Sequence, residues 1–243
     1  MKIDILTLFP DFFINPLNES IVGRAIDKGK IEVETINIRN YALNKHRQVD
    51  DYPYGGGSGM VLKADVLISA INDIKKVNSW VIYMSPQGKV LNQKKVKELS
   101  EKSHLVVLCG HYEGVDERAL TEVDEEISIG DYVLTGGELP ALVLTDAVTR
   151  LIPGVLGDDN SAIDESFTDY LLEYPHYTRP AEFNGLKVPD ILLSGHHENI
   201  RLFRKKQSLL RTLIKRPDLL LSKEFDEEEE KILKEILFDR EYS

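Results

Sequence analysis

Two short runs, Trp80 to Met84 (WVIYM) and His104 to Cys109 (HLVVLC), are apolar at almost every position. An alternating strand can leave one face in water, but a strand apolar on both faces must be covered on both. Segments of helical period accompany them, Lys63 to Lys76 before the first run and Asn92 to Lys102 between the two. This alternation predicts an α/β fold, a largely parallel sheet with helices on both faces. Lys2 to Leu8 and Ile31 to Ile38 read as further strands, with a helix over Leu17 to Lys28 between them. Asn44 to Gly59 is a polar connection longer than a structural loop needs. A short helix is expected from Asp116 to Thr121.

The stretch from Glu126 to Gly154 closes this region. It reads as a strand (Glu126 to Ile129), a loop (Gly130 to Leu139) and a helix opened by Pro140 and stopped by Pro153-Gly154. Apolar side chains cover most of that helix and leave a narrow polar stripe of Thr145, Asp146, Thr149 and Arg150. Such a helix is buried on several sides, by its own domain or by a second chain as well. Asp124-Glu125-Glu126, at the start of the strand, is read as surface charge.

Beyond Gly157 strand signals vanish. A polar connector runs to about Tyr174, followed by helices over Pro189 to Ser194, His196 to Lys215 and Asp226 to Phe238, so a small all-helical domain is expected. Arg201 to Arg216 carries seven basic and no acidic side chains in a chain of net charge −11. A basic helix in an acidic protein points to a polyanionic partner, or to a solvated face balanced by the acidic helix that follows. A single cysteine, Cys109, excludes an internal disulfide framework. The opening MKIDILTLFP is too short and too alternating for a signal peptide, and no apolar run has transmembrane length. A cytoplasmic location and no membrane partner are therefore expected.

Three glycine-bearing loops follow strands at their carboxyl ends: Ser85 to Gly88, Gly110 to Gly114 and Ile129 to Gly137. In a parallel sheet they share one edge, where ligands bind. Tyr54 to Met60 (YGGGSGM) fits neither a Walker A spacing nor a dinucleotide fingerprint; it is a phosphate cradle, a lid hinge or a tight turn. Cys109 reads as a core residue without a partner for nucleophilic catalysis. His196-His197 are neighbours on a helix and cannot share a metal, and no other metal set is visible. Arg150 stands four residues after Asp146, close enough to pair along the helix, and also at the entrance of the connector.

Taken together, DILTLFP at 4–10, YGGGSGM at 54–60, SPQG at 85–88, CGHYEGVDER at 109–118, SIGDYVLTGGELPA at 128–141, RLIPGVLG at 150–157, SF at 166–167, YPHYTRP at 174–180 and VPDILLSG at 188–195 resemble the bacterial tRNA (guanine-37-N1)-methyltransferases of the SPOUT superfamily. The resemblance runs nearly end to end and is loosest in the last helix. It implies a trefoil-knotted catalytic domain over 1–157, a flexible linker over 158–176 and a helical tRNA-binding domain over 177–243. It also implies a homodimer with sites shared between chains, and S-adenosylmethionine as donor. Carried over by motif, the cofactor residues are Ser85, Pro86, Gly110, Tyr112, Ile129, Gly130, Asp131, Tyr132, Val133, Leu134, Gly136, Gly137 and Pro140. The substrate residues are Gly55, Gly56, Gly57, Ser58, Gly59, His176, Arg201, Arg204 and Lys205. Arg150 matches the family arginine that faces guanine O6. The general base in the family is an aspartate directly before Ser-Phe; here that position is Glu165, preceded by Asp164, with Asp169 a more distant competitor. Magnesium is implied as well, although this sequence shows no ligand set for it.

Overall fold

The computed structural model describes residues 1–157 and 165–238. The chain divides into two compact units, Met1–Asp159 and Asn160–Ser243.

In the first unit β1 (Lys2–Thr7), β2 (Glu32–Asn37), β5 (Ser79–Val90), β6 (His104–Cys109) and β7 (Glu125–Ser128) form one sheet. Their order is β2-β1-β6-β5-β7, and every neighbouring pair is parallel. Central β6 is buried at all its positions, as its unbroken apolar run demands. Its side chains alternate between two cores. Leu105, Val107 and Cys109 pack with α2 (Ser20–Asp27), α4 (Gln93–Ser100) and α5 (Glu138–Thr149), while Val106 and Leu108 pack with α3 (Ala64–Ile74) on the other face. Period-two alternation thus feeds both covering layers from a single strand.

Two local expectations change. The helix expected over Leu17 to Lys28 is broken into α1 (Ile14–Asn18) and α2, because Glu19 between them takes extended backbone at φ −107°, ψ 156°. The strand at Trp80 does not end at Met84 but continues to Val90. Met84 and Lys89 both pair with Ile127, so Ser85 to Gly88 is an excursion thrown out of a continuous strand. The long connection over Asn44 to Gly59 contains β3 (Asp50–Asp51), which pairs antiparallel with β4 (Val61–Leu62). Its glycine run is therefore the tip of a small hairpin.

The second unit is not wholly helical. β8 (Glu182–Phe183) and β9 (Leu186–Lys187) form a hairpin across Asn184-Gly185, whose φ values are 52° and 80°. Asn-Gly accepts positive φ at both central positions of a two-residue turn, so this signal was legible locally. The hairpin is followed by α6 (Asp190–Leu193), α7 (His197–Lys215), α8 (Pro217–Leu220) and α9 (Glu227–Phe238). The core is Leu209 and Leu210 of α7 against Ile232 and Ile236 of α9, with Leu171 and Phe225 packed around them.

The expected linker divides in this fold. Residues 158–164 lie outside the described residues. The remainder is tied into the second unit: Leu172 N–H donates to Thr212 Oγ1 at 2.8 Å, and Glu173 N–H to Ser166 Oγ at 3.0 Å.

Basic residues of α7 pair within the helix and with acids at and just before the start of α9. Arg201 reaches Glu198 at 2.7 Å and Glu228 at 2.6 Å, and Lys205 reaches Asp226 at 3.0 Å and Glu228 at 3.2 Å. Hydrogen bonds from Arg201 and then Lys205 pull the Glu228 carboxyl from its ordinary 4.5 down to about 2. The unfolded chain takes up this proton first as pH falls, so the contribution is complete above about 4.5 and lost as pH drops through about 2. Thermal melts followed by circular dichroism are expected to show a melting temperature that declines across that window. The decline should be shallower in high salt, because the pair is exposed and screened.

Candidate active site

The three loops expected at the carboxyl edge of the sheet meet there. The excursion over 85–88 is closed by Gln87 N–H donating to Ser85 Oγ at 3.2 Å. The loop after β6 holds Tyr112 in the left-handed region at φ 58°, a conformation a tyrosine adopts only where its surroundings enforce it. The loop after β7 folds back so that Gly137 N–H donates to Gly110 O at 2.8 Å and His111 bridges Gly136. A cavity of about 290 Å3 lies among them.

Of the residues assigned to the cofactor by motif, Ser85, Pro86, Gly110, Tyr112, Ile129, Gly130, Tyr132, Val133, Leu134, Gly136, Gly137 and Pro140 line this cavity, and Asp131 does not. Gly110 is required by space. A Cβ there would stand 2.8 Å from the Tyr83 ring edge and hydroxyl, so only glycine lets that ring lie against the loop. Tyr83 is itself a wall residue; burial and then the nearby Glu126 carboxylate push its phenol up to about 12. It therefore stays a neutral hydroxyl.

Beneath the loop, buried Glu138 in the first turn of α5 accepts a hydrogen bond from Thr7 Oγ1 at 2.8 Å, an acceptable place for a carboxylate at a helix N-terminus. Burial raises the Cys109 thiol well above its ordinary range, which fits a core residue and no nucleophile.

Several wall residues were not assigned from the sequence, among them Gln87, His111, Glu113, Glu117 and Glu126. Reading Asp124-Glu125-Glu126 as surface charge fits exposed Asp124 but needs correcting for half-buried Glu125 and Glu126. Asp124 accepts from the Val81 N–H at 2.8 Å, Glu125 pairs with Lys95 at 3.0 Å, and Glu126 faces the cavity. The period-two alternation of β7 carried this information, but which face held the cavity did not show locally.

The glycine hairpin tip lies next to this wall in the fold. Glu113 N–H donates to Met60 O and Leu62 N–H to Gly114 O, both at 3.0 Å. Gly55, Gly56, Gly57 and Gly59 all have positive φ, Ser58 lies among them, and Tyr54 at the tip is fully exposed. Of the three readings of this run, the fold shows the tight turn.

Residues 1–222 match the family model for tRNA (Guanine-1)-methyltransferase TrmD. The tRNA (guanine-N(1)-)-methyltransferase of Syntrophomonas wolfei is 66% identical over 241 residues, covering 99% of each chain. That of Carboxydothermus hydrogenoformans is 58% identical, over 98% of this chain and 95% of the relative. That of Dictyoglomus turgidum is 54% identical, over 97% and 96%. The chain belongs to the TrmD family of tRNA (guanine-N1)-methyltransferases.

As a TrmD-family enzyme it methylates N1 of a guanine in tRNA, and it requires a methyl donor. Among the described residues no helix is long and apolar enough to cross a membrane. No group of three His, Cys, Asp or Glu among them is arranged to hold a metal ion.

The remaining residues expected of a TrmD site fall as follows. Arg150 caps α5 at its carboxyl end, its N–H donating to Asp146 O at 3.1 Å. Glu165 belongs to the second unit, where its carbonyl accepts from Thr168 N–H at 3.3 Å. Asp164 lies outside the described residues. Asp169 is the counter-ion of Lys223, whose buried ammonium it meets at 2.5 Å. Removing it would leave that ammonium with only Glu229, at 3.1 Å, as an ionic partner among the described residues. His176 Nε2 lies 2.7 Å from Glu173 Oε1, beside Tyr174, and the Arg204 guanidinium stacks over Tyr174 at 4.7 Å.

Proposed function

We propose that the protein methylates N1 of guanosine 37, 3′ of the tRNA anticodon, with S-adenosylmethionine held in the cavity at the carboxyl edge of the sheet. The observation that carries this reading is the meeting of three separate loops, 85–88, 110–114 and 129–137, around one cavity. Gly110 and Gly137 let the loops close on one another, since a Cβ would collide with the Tyr83 ring at the first and with the Cys109 and Gly110 backbone at the second. The chain threading that the backbone bond from Gly137 to Gly110 supports is a trefoil knot. The half-exposed apolar residues of α5, Leu139 and Val143, together with Phe9 and Phe12, support a homodimer whose sites both chains complete.

When bound, S-adenosylmethionine supplies an electrophilic methyl group. The protein's own residues make the guanine nucleophilic. N1 carries a proton at neutral pH, and a carboxylate within hydrogen-bond reach removes it. Glu165 is assigned this role, with Asp164 as its rival; Asp169 is set aside because it neutralises Lys223. Arg150 stabilises the negative charge that develops toward O6. Isothermal titration of the donor against the intact protein, with methyl mapping on tRNA by mass spectrometry, tests the assignment. No donor binding, or a methyl elsewhere than N1 of guanosine 37, refutes it.

The tRNA surface of α7 is narrower than its composition suggests. Arg201 and Lys205 are already paired with α9, whereas exposed Arg204 presents its guanidinium on an aromatic platform with His176 close by. Arg204→Ala is expected to weaken tRNA binding and to lower the slope of log affinity against log salt by about one. Arg201→Ala should lower the melting temperature and leave that slope nearly unchanged. Filter binding across a salt series distinguishes the two.

A further inference from the structure

Among the described residues, the cavity wall carries three carboxylates, Glu113, Glu117 and Glu126, and no lysine or arginine. The nearest guanidinium in sequence, Arg118, is held by Asp116 in two hydrogen bonds of 2.9 and 2.7 Å. Glu126 sits on β7 directly across from Tyr83 in the sheet. Its field is felt there, since it helps keep the Tyr83 phenol protonated. The interaction length in physiological salt is about 8 Å. A ligand held in a cavity of about 290 Å3 lies at separations comparable to that length from charges on the wall.

We propose that these carboxylates make the cavity a charge selector that retains the cationic methyl donor and releases its neutral demethylated product. The proposal rests on the reading of this cavity as the S-adenosylmethionine site. The donor carries a sulfonium, an ammonium and a carboxylate, net one positive charge; the product has a thioether in place of the sulfonium and is neutral. Adenine, ribose and amino acid are common to both. Contacts to those parts cancel in the ratio of affinities, and the ratio reports the field at the sulfur. One carboxylate about 8 Å away, at an effective dielectric of about 20, favours the cation roughly tenfold or more. Glu126 is thus a specificity residue: it distinguishes the two ends of the reaction, so that accumulated product does not block reloading.

The test is calorimetric titration of the intact protein, with a chelator present so that no divalent cation neutralises the wall. The ligands are donor, demethylated product and an analogue with an ammonium in place of the sulfonium. Wild type is expected to bind both cations more tightly than the product, by a margin that shrinks as salt is raised. Glu126→Gln should weaken both cations about tenfold and the product less than twofold, with Glu117→Gln acting in the same direction. Equal weakening of donor and product overturns the proposal, because Glu126 would then contact a shared part. A wild-type ratio near one that ignores salt overturns it too. If wild type binds none of the three ligands, the reading of the cavity itself fails and takes this proposal with it.

Discussion

Glu165→Gln is expected to reduce methylation by about 10²- to 10⁴-fold while donor affinity stays within about twofold. The amide keeps the size and much of the hydrogen bonding of the carboxylate, but it cannot accept the N1 proton. Loss should therefore appear in turnover rather than in binding. The pH profile adds an independent reading. With a carboxylate base the wild-type rate rises through that group's titration, and the variant loses that limb. Arg150→Ala is expected to cost about 10²- to 10³-fold, the size typical of deleting one donor to a developing oxyanion. Asp164→Asn is the decisive control. If it silences the enzyme while Glu165→Gln retains wild-type turnover, the base is Asp164 and the assignment to Glu165 is wrong.

Gly137→Ala is expected to lose donor binding by at least about tenfold and to destabilise the first unit by roughly 1–3 kcal/mol. Gly137 has an ordinary φ of −82°, so the reason is space and not backbone strain. A Cβ would lie 2.7 Å from Cys109 Cα and 2.8 Å from Gly110 N, both backbone atoms at the end of the central strand. The first turn of α5 would have to lift away, breaking the 2.8 Å bond from Gly137 N–H to Gly110 O that closes two of the three loops. Gly157→Ala is the matched control. Nothing lies within 4 Å of a Cβ there, and its φ is not positive, so the change should be neutral or slightly stabilising. Calorimetric melting and donor titration of both variants check this; comparable behaviour at the two glycines would refute the close-packing account.

Much of the first unit could be read directly. A run such as HLVVLC, with no polar position to place in water, admits few environments other than the middle of a covered sheet. Once that sheet is parallel, the loops after its strands share an edge. The glycine loops were therefore findable, and so was the chemistry attached to them by motif. The misreadings arose where neighbours in space decide the outcome. β5 runs on past Met84 because β7 offers it a partner on both sides of the excursion. The Asn184-Gly185 turn is by contrast a purely local signal, set among segments of helical period.

What the sequence by itself determined is the order of the elements, which strands are covered on both faces, and where backbone can approach a ligand, since these depend on side-chain size and period within a few residues. Tertiary structure alone decided which charges meet. It turned Arg201 and Lys205 toward the acids of α9, engaged Asp169 with Lys223 and aimed Glu126 into the cavity while its neighbours Asp124 and Glu125 found partners elsewhere. Electrostatic roles depend on distances of a few ångströms between residues tens of positions apart, and only the folded chain sets those distances.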